Sequence, residues 1–522
     1  METNLPTLNR TKRSELVILI LCLFIGFALR FYTFDKKSLW LDEIHTFNES
    51  RDNLQGQLSF YKEYSTHLQP PLFFVLTHLF YPFTKPERDL RIIPLIFGTL
   101  SIPMIYLLSS MFSPVTALPC TLSLTFMAYH ISLSQDGRSY AMLMFVGMTG
   151  LYFFMKYLKS ARKGYLVLVA FLYAILFLTS YSSVPFIVFS QILWFYRPSE
   201  EAKKPALSSL LTLNGFLLLF CLPWILFTAI HYKGQMIMDP FHTESPGSFW
   251  TILYGILHDW APHTPLLIAS ALLLILLPFL SKYKKNALVL LALFLAPIAG
   301  LYLYCKLFQI THFITSRYFI GFLPVFLIAI YLSVDMIENK FEGLRRFIRL
   351  RFLFTILFVA SNLLILPLYY RSQKEDSRGL VNYLKTNLRQ GDKLLDIDIA
   401  RTPGILHYFG TLPQGRHYTV SLHRLSENES ELRSSFIYQN RKYVIYCSKS
   451  WSDRYISDGA RLWVIAGHDS AKRLRSNSNC VLKGYFDGSF LNFRRFPTDA
   501  SIYLFLCDPK SPEEKGIDMP IE

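Results

Sequence analysis

Charge is scarce in this chain. Only 17% of its 522 residues are Asp, Glu, Lys or Arg, whereas 52% are hydrophobic, with 45 Phe and 31 Tyr. That balance excludes an ordinary soluble protein of this length, because so much apolar side chain must face something other than water. Metal-type cysteine spacing is missing too. The seven Cys are scattered without a Cys-X-X-Cys pair, and only Cys447, Cys480 and Cys507 follow residue 370, which leaves room for one disulfide there. The basic start is followed by no small-residue cleavage site, so the apolar run from Leu16 to Phe34 is expected to be retained as a signal anchor. No repeat of solenoid period and no long low-complexity segment occurs, and beyond Tyr370 no stretch is apolar enough to cross a bilayer.

What is present before Tyr370 is a series of apolar stretches. About 20 such residues cross a hydrocarbon core of about 30 Å as a helix. Eleven spans are expected, at Leu16 to Phe34, Ile92 to Met111, Val115 to Tyr129, Tyr140 to Tyr157, Tyr165 to Ser180, Val184 to Tyr196, Leu207 to Ile230, Pro265 to Leu280, Ala287 to Tyr304, Tyr318 to Met336 and Phe352 to Tyr369. The formal charge of +16 falls in short clusters: Arg10 to Arg13, Lys156 to Lys163, Arg197 to Lys204, Lys282 to Lys285 and Lys340 to Arg351. Placed in the cytoplasm, these satisfy the positive-inside rule at every second connection, and they speak against a nucleic-acid partner. The N-terminus is then cytoplasmic in a plasma (inner) membrane. An odd number of spans puts the tail outside, on the side of the long segment 35–91, in which the short apolar piece Pro70 to Tyr81 suits a helix lying in the interface.

The fold class read from this pattern is a polytopic α-helical membrane protein of about 11 transmembrane helices, residues 1–370, with a C-terminal extracytoplasmic α/β domain, residues 371–522. The tail opens on a helix-like spacing of Leu380, Tyr383, Leu384 and Leu388. Strand-like runs follow at Lys393 to Ile399, Tyr443 to Cys447, Leu462 to Ala466 and Ile502 to Cys507.

Three polar patches fall on the outer side. Asp42 and Glu43 stand side by side just after the first span. A carboxylate in a wet cavity there can take the proton of an attacking hydroxyl, and two acids at a helix start can equally well complement the helix dipole. His67, Gln69, Pro70 and Pro71 form the approach to the short apolar helix, where proline fixes the backbone. His67 or His45 could join Asp42 or Glu43 around a divalent metal, although a lone exposed His is more often solvated. The third patch carries Gln135, Asp136, Arg138 and Tyr140. The Arg138 guanidinium offers a planar fork for phosphate oxygens, or it pairs with Asp136 or with lipid headgroups. Arg317 repeats the theme before a later span with Lys306 nearby, and two or three cations facing one cavity suit a phosphate-bearing lipid.

The ordered set Leu39-Trp40-Leu41-Asp42-Glu43, Pro70-Pro71-Leu72 and Gln135-Asp136-Gly137-Arg138-Ser139-Tyr140, with spans at matching intervals, resembles the bacterial branch of the dolichyl-phosphate-mannose protein mannosyltransferase family. These are membrane glycosyltransferases of the GT-C fold, and they include the lipid A aminoarabinose transferase. A looser likeness runs through Ser316-Arg317-Tyr318 to the stretch from Lys374 to Gly379. The resemblance implies a sugar donor on a polyprenyl phosphate and a catalytic outer loop at 35–91. It further implies Asp42 as base with Glu43 as its orienting partner, and Arg138, Arg317 and Lys306 on the donor phosphate. His67, Gln69, Pro70, Pro71, Gln135, Asp136 and Tyr140 would line the pocket, and no nucleotide is required. Gln69 stands where many relatives have His or Lys, so no charge is available at that position. The function expected is transfer of a hexosyl or pentosyl unit, with inversion, to a glycolipid, envelope polymer or protein. The rival from another class is a transporter or lipid flippase, which would favour repeated halves and charges near the midplane.

Overall fold

The computed structural model describes residues 10–63, 68–198, 205–232, 248–308, 314–341, 349–397, 401–411, 431–448, 455, 459–475, 480–490 and 498–507. All eleven expected stretches are helical. Seven helices are long and apolar enough to cross a membrane: Arg13–Phe31, Pro86–Phe112, Tyr140–Ser160, Leu207–His231, Lys284–Leu307, Ser316–Lys340 and Leu350–Arg371. An eighth crossing is formed if Phe249–Trp260 and Thr264–Leu280, bent by 113° at the break between them, act as one. The expected count of about eleven is therefore not reached among the described residues. Pro114–Phe126, Lys163–Thr179 and Tyr181–Phe195 are apolar but too short. The reason is local: the stretch Val115 to Tyr129 is divided at Met127, whose extended backbone separates the helices Ala117–Phe126 and Ala128–Ser134. Apolar composition alone does not register such a break.

Burial sorts the spans. In Ser316–Lys340 83% of the most apolar window is buried, against 17% in Arg13–Phe31, so the former runs through the bundle and the latter lies along its outside. The segment 35–91 holds four short helices, Leu41–Glu49, Leu54–Glu63, Leu72–His78 and Pro86–Asp89. The third of these is the expected short apolar helix, entered through Pro71.

Among its described residues the tail forms eight strands: β1 (Lys393–Asp396), β2 (Glu431–Tyr438), β3 (Arg441–Ser448), β4 (Leu462–Ala466), β5 (Cys480–Phe486), β6 (Ser489–Phe490), β7 (Thr498–Asp499) and β8 (Ile502–Cys507). Six of them make one sheet in the order β2-β3-β1-β4-β8-β5, with β1 parallel to both neighbours and the other pairings antiparallel. The four expected strands are present, the first shortened to Lys393–Asp396. The edge strand β2 went unread because its first half, Glu431 to Ser435, is largely polar, and β5 because Lys483 and Gly484 interrupt its apolar run, whereas the inner strands β4 and β8 are buried throughout. Cys480 and Cys507, directly opposite in the β5/β8 register, form the disulfide, and Cys447 is a buried free thiol.

One face of the sheet packs on helices Ser377–Asn387 and Thr402–Tyr408. The same hydrophobic cluster contains Leu39, Ile44, Phe47 and Leu90 from the first outer segment. That segment and the tail therefore share a core. Side-chain bonds reinforce it: Ser38 N donates to Gln373 Oε1 at 3.0 Å, Leu39 N to the Tyr408 hydroxyl at 2.8 Å and Leu41 N to Glu375 Oε2 at 3.1 Å.

Candidate active site

The helix Leu41–Glu49 begins at Trp40, whose backbone is extended, so Asp42 and Glu43 occupy its second and third positions. Successive helical residues point about 100° apart, and the two carboxylates consequently take different surroundings. Glu43 turns inward. It is 1% exposed and holds Arg91, itself 2% exposed, by two bonds of 2.7 Å from Nε and Nη2. It also accepts Gly137 N at 2.7 Å and the N-cap amide of Trp40 at 3.4 Å. A Cβ on Gly137 would stand 3.0 Å from Glu43 Oε1 and 3.2 Å from the Leu90 Cβ, so glycine permits this close approach. Arg91 further donates to the carbonyls of Phe34, Lys37 and Ser38 at 2.8 to 3.1 Å and thereby ties the chain leaving the first span to the start of the next. The helix-start reading of the acidic pair thus describes Glu43, whose carboxylate is engaged by Arg91, Gly137 and Trp40.

Asp42 stays about a quarter exposed and faces cations. Arg138 Nε lies 3.8 Å and Arg317 Nη1 3.7 Å from its Oδ2. Arg138 is further held by the Asp42 carbonyl at 3.3 Å and the Thr46 hydroxyl at 3.1 Å. Burial raises the Asp42 carboxyl, but Arg138, Arg317, His45 and Lys374 together outweigh it and leave the group below its ordinary range. Burial likewise works against a charged Arg138, and Asp42 more than offsets it. Arg317 also stacks against Trp40, Tyr140 and Tyr318, each ring 5.7 Å away.

Behind Trp40 lies a cavity of about 90 Å³ lined by Lys37, Trp40, Glu43, Arg91, Gln135, Asp136, Arg317 and Lys374 among others. Asp42 and Arg138 are not in its lining, and Arg317 belongs to both places. Asp136 does not pair with the Arg138 side chain. It accepts Lys374 Nζ at 2.6 Å and Trp40 Nε1 at 2.9 Å, and the Lys374 ammonium sits 4.0 Å from the Trp40 ring centre. Gln135 anchors the end of the first span by donating to the carbonyls of Arg30 and Tyr32 at 3.0 and 2.6 Å.

The sequence-expected residues therefore divide. Asp42, Glu43, Gln135, Asp136, Arg138, Tyr140 and Arg317 come together. Pro70 and Pro71 are buried, with Gln69 half-buried beside them, and none of the three lines the cavity. Lys306 is exposed near the end of its helix, 5.9 Å from the Tyr302 ring centre, and is not brought to this site. His67 lies outside the described residues. Among those described, no three His, Cys, Asp or Glu side chains converge as a metal ion would need. Sequence reasoning passed over Arg91, which marked only the end of a loop, and Lys37. The available signal was a charge directly against the start of an apolar span, where a cation needs a partner.

The helical bundle with its polar centre and C-terminal sheet has the GT-C fold of membrane glycosyltransferases, and the chain is a multi-pass membrane protein of that fold. The solved structure of ArnT from Cupriavidus metallidurans in the apo state matches it at 11% identity and a TM-score of 0.54, over 95% of this chain and 98% of that one. ArnT from the same organism bound to undecaprenyl phosphate matches at 11% identity and a TM-score of 0.50, over 93% and 97%. No protein-family model matches the sequence, and neither does any curated protein.

Proposed function

We propose that this chain is a glycosyltransferase that moves a sugar from a polyprenyl-phosphate carrier to an acceptor hydroxyl or amide on the extracytoplasmic side. The observation that carries the reading is Asp42, a part-exposed carboxylate flanked by Arg138 and Arg317 at 3.8 and 3.7 Å. It is supported by a shared fold with a protein solved with undecaprenyl phosphate. The basic clusters at alternate connections favour a plasma (inner) membrane with the N-terminus in the cytoplasm.

In this reading the two arginines do more than neutralise Asp42. With no donor present they hold its carboxyl low, which makes it a weak base. A donor phosphate entering the cluster competes for the same guanidinium groups, and Asp42 then rises towards the basicity that proton abstraction needs. The acceptor oxygen or nitrogen forms the new bond to the anomeric carbon as the bond from that carbon to the phosphate oxygen breaks. The acceptor proton passes to Asp42, and the bond electrons leave with the phosphate, whose growing charge the arginines stabilise. A single in-line displacement inverts the anomeric centre. A glycolipid, an envelope polymer or a protein would serve as acceptor, and a hexosyl or pentosyl unit as the group transferred.

The test is transfer of radiolabelled sugar from polyprenyl-phosphate donors to envelope fractions, using equally expressed intact protein and Asp42→Asn. A fall of about 100-fold or more is expected, the usual contribution of a positioned base. Equal transfer by the variant would remove Asp42 as base, and absence of transfer from every donor tried would overturn the reading.

A further inference from the structure

Arg138 and Arg317 stand 3.8 and 3.7 Å from Asp42, beyond the roughly 2.7 to 2.9 Å of a charge-assisted hydrogen bond, so the carboxylate does not by itself fix the two guanidinium groups. Something else must hold them. Three buried polar side chains from three elements meet next to Arg317 in the chain. They are Tyr129 on the helix Ala128–Ser134, Ser316 at the start of the span Ser316–Lys340 and Asp259 at the end of the helix Phe249–Trp260, and each is 5% exposed or less. Ser316 Oγ donates to Asp259 Oδ2 and lies 2.8 Å from the Tyr129 hydroxyl. A serine hydroxyl has one proton, and with that proton given to Asp259 it accepts from Tyr129. The bonds therefore run one way, from Tyr129 to Ser316 to Asp259.

Local structure gives Asp259 no reason to be where it is. Burial penalises its charge, and in the last turn of its helix a carboxylate meets the negative end of the dipole. What it reaches supplies the reason. Ser316 is the residue before Arg317, and the helix of Tyr129 leads directly into the segment that carries Arg138, so the chain of bonds ties both arginine-bearing segments to each other. Through Asp259 it also ties them to the bent pair Phe249–Trp260 and Thr264–Leu280. We propose that Tyr129, Ser316 and Asp259 are positioning residues whose hydrogen bonds set the spacing of Arg138 and Arg317 around the Asp42 carboxylate. The proposal rests on the transferase reading above for its catalytic meaning and adds to it three residues outside the Asp42 cluster. A buried chain of hydrogen bonds is stiff in a low-dielectric interior, and a charge pair held a few ångströms apart responds steeply to any slackening of it.

The experiment needs no sugar donor. In the full chain in nanodiscs, carbodiimide coupling of an amine to Asp42, which requires the protonated carboxyl, is followed by mass spectrometry across the acid range. Arg138, Arg317, His45 and Lys374 act on Asp42, with Glu375 also in range, and in the parent its midpoint is expected below the ordinary value of about 3.9. Ser316→Ala removes both bonds. Retreat of one arginine by about 2 Å, at an effective dielectric constant of about 20, raises the midpoint by about one pH unit, so coupling at about pH 5 quickens about tenfold. Tyr129→Phe removes one bond and should move the midpoint less. Combined with Ser316→Ala it should add nothing, because both changes act through one chain. Ser316→Thr keeps the hydroxyl and should titrate as the parent does. An unmoved midpoint in Ser316→Ala would overturn the proposal. So would a higher plateau at an unchanged midpoint, which reports exposure alone, or an equal shift in Ser316→Thr, which reports packing. Sugar transfer by Ser316→Ala should fall about tenfold, less than the loss expected when a donor to the transition state is removed outright. A shifted midpoint with no transfer by the parent from any donor would overturn the transferase reading and leave the positioning chain standing.

Discussion

Glu43→Gln should unlock the segment that carries Asp42 although the side chains are nearly the same size. Each Glu43 oxygen takes two donors: Oε1 accepts Arg91 Nε and Gly137 N, both at 2.7 Å, and Oε2 accepts Arg91 Nη2 at 2.7 Å and Trp40 N at 3.4 Å. Whichever way a glutamine amide is turned, its NH2 group faces two donors. Arg91, 2% exposed, is left with three backbone carbonyls and no counter-charge. Breaking a buried pair by removing one partner costs about 3 to 5 kcal/mol. If that cost is felt locally, opening of the segment becomes easier by a factor on the order of a thousand. Hydrogen exchange of the amides from Leu39 to Glu49, measured on the full chain in nanodiscs, reads this directly. The double variant Glu43→Gln with Arg91→Met removes both charges and should be less disturbed than the sum of the two single changes. Exchange in Glu43→Gln within about threefold of the parent would refute the reasoning.

Two further outcomes are expected. Glu375 is buried beside Leu41 N, and burial, reinforced by Asp42 and Asp396 and opposed by Arg401 and the Leu41 amide, raises its carboxyl to about 7. Its folded value lies above its unfolded one, so stability is unaffected below about pH 4, is lost as pH rises through the window up to about 7, and is constant beyond. Glu375→Gln should therefore flatten the pH dependence of thermal unfolding between about pH 4 and 7, and an unaltered slope would count against a buried neutral Glu375. The Cys480 to Cys507 bridge closes a separation of 27 residues, so Cys480→Ser with Cys507→Ser should destabilise the tail by about 3 kcal/mol. Faster proteolysis confined to the sheet would show it, and cleavage at the parental rate would contradict it.

Much of the architecture was legible because the solvent imposes it. Apolar stretches must satisfy their backbone internally in a bilayer, so their positions between Leu16 and Tyr370 could be read from composition, as could the buried inner strands of the tail. The expected stretch from Val115 to Tyr129 is divided at Met127, a break within an apolar run that no polar residue announces. Asp42, Arg138 and Arg317 were legible as charges on the outer side, and the resemblance of the surrounding motifs grouped them.

What the sequence by itself determined is which residues must leave water and which charges sit at the ends of the spans, since hydropathy and charge are properties of each residue where it stands. Which carboxylate meets which cation was decided only by the tertiary structure. Asp42 and Glu43 are neighbours in the chain, yet one faces Arg138 and Arg317 and the other is sealed against Arg91, 48 residues away. Lys374 reaches Asp136 across 238 residues, and Lys37 reaches the Tyr369 carbonyl across 332. Those assignments depend on distances of a few ångströms between segments far apart in sequence, and at that range the energy of a buried charge is set by its neighbours rather than by its own residue type.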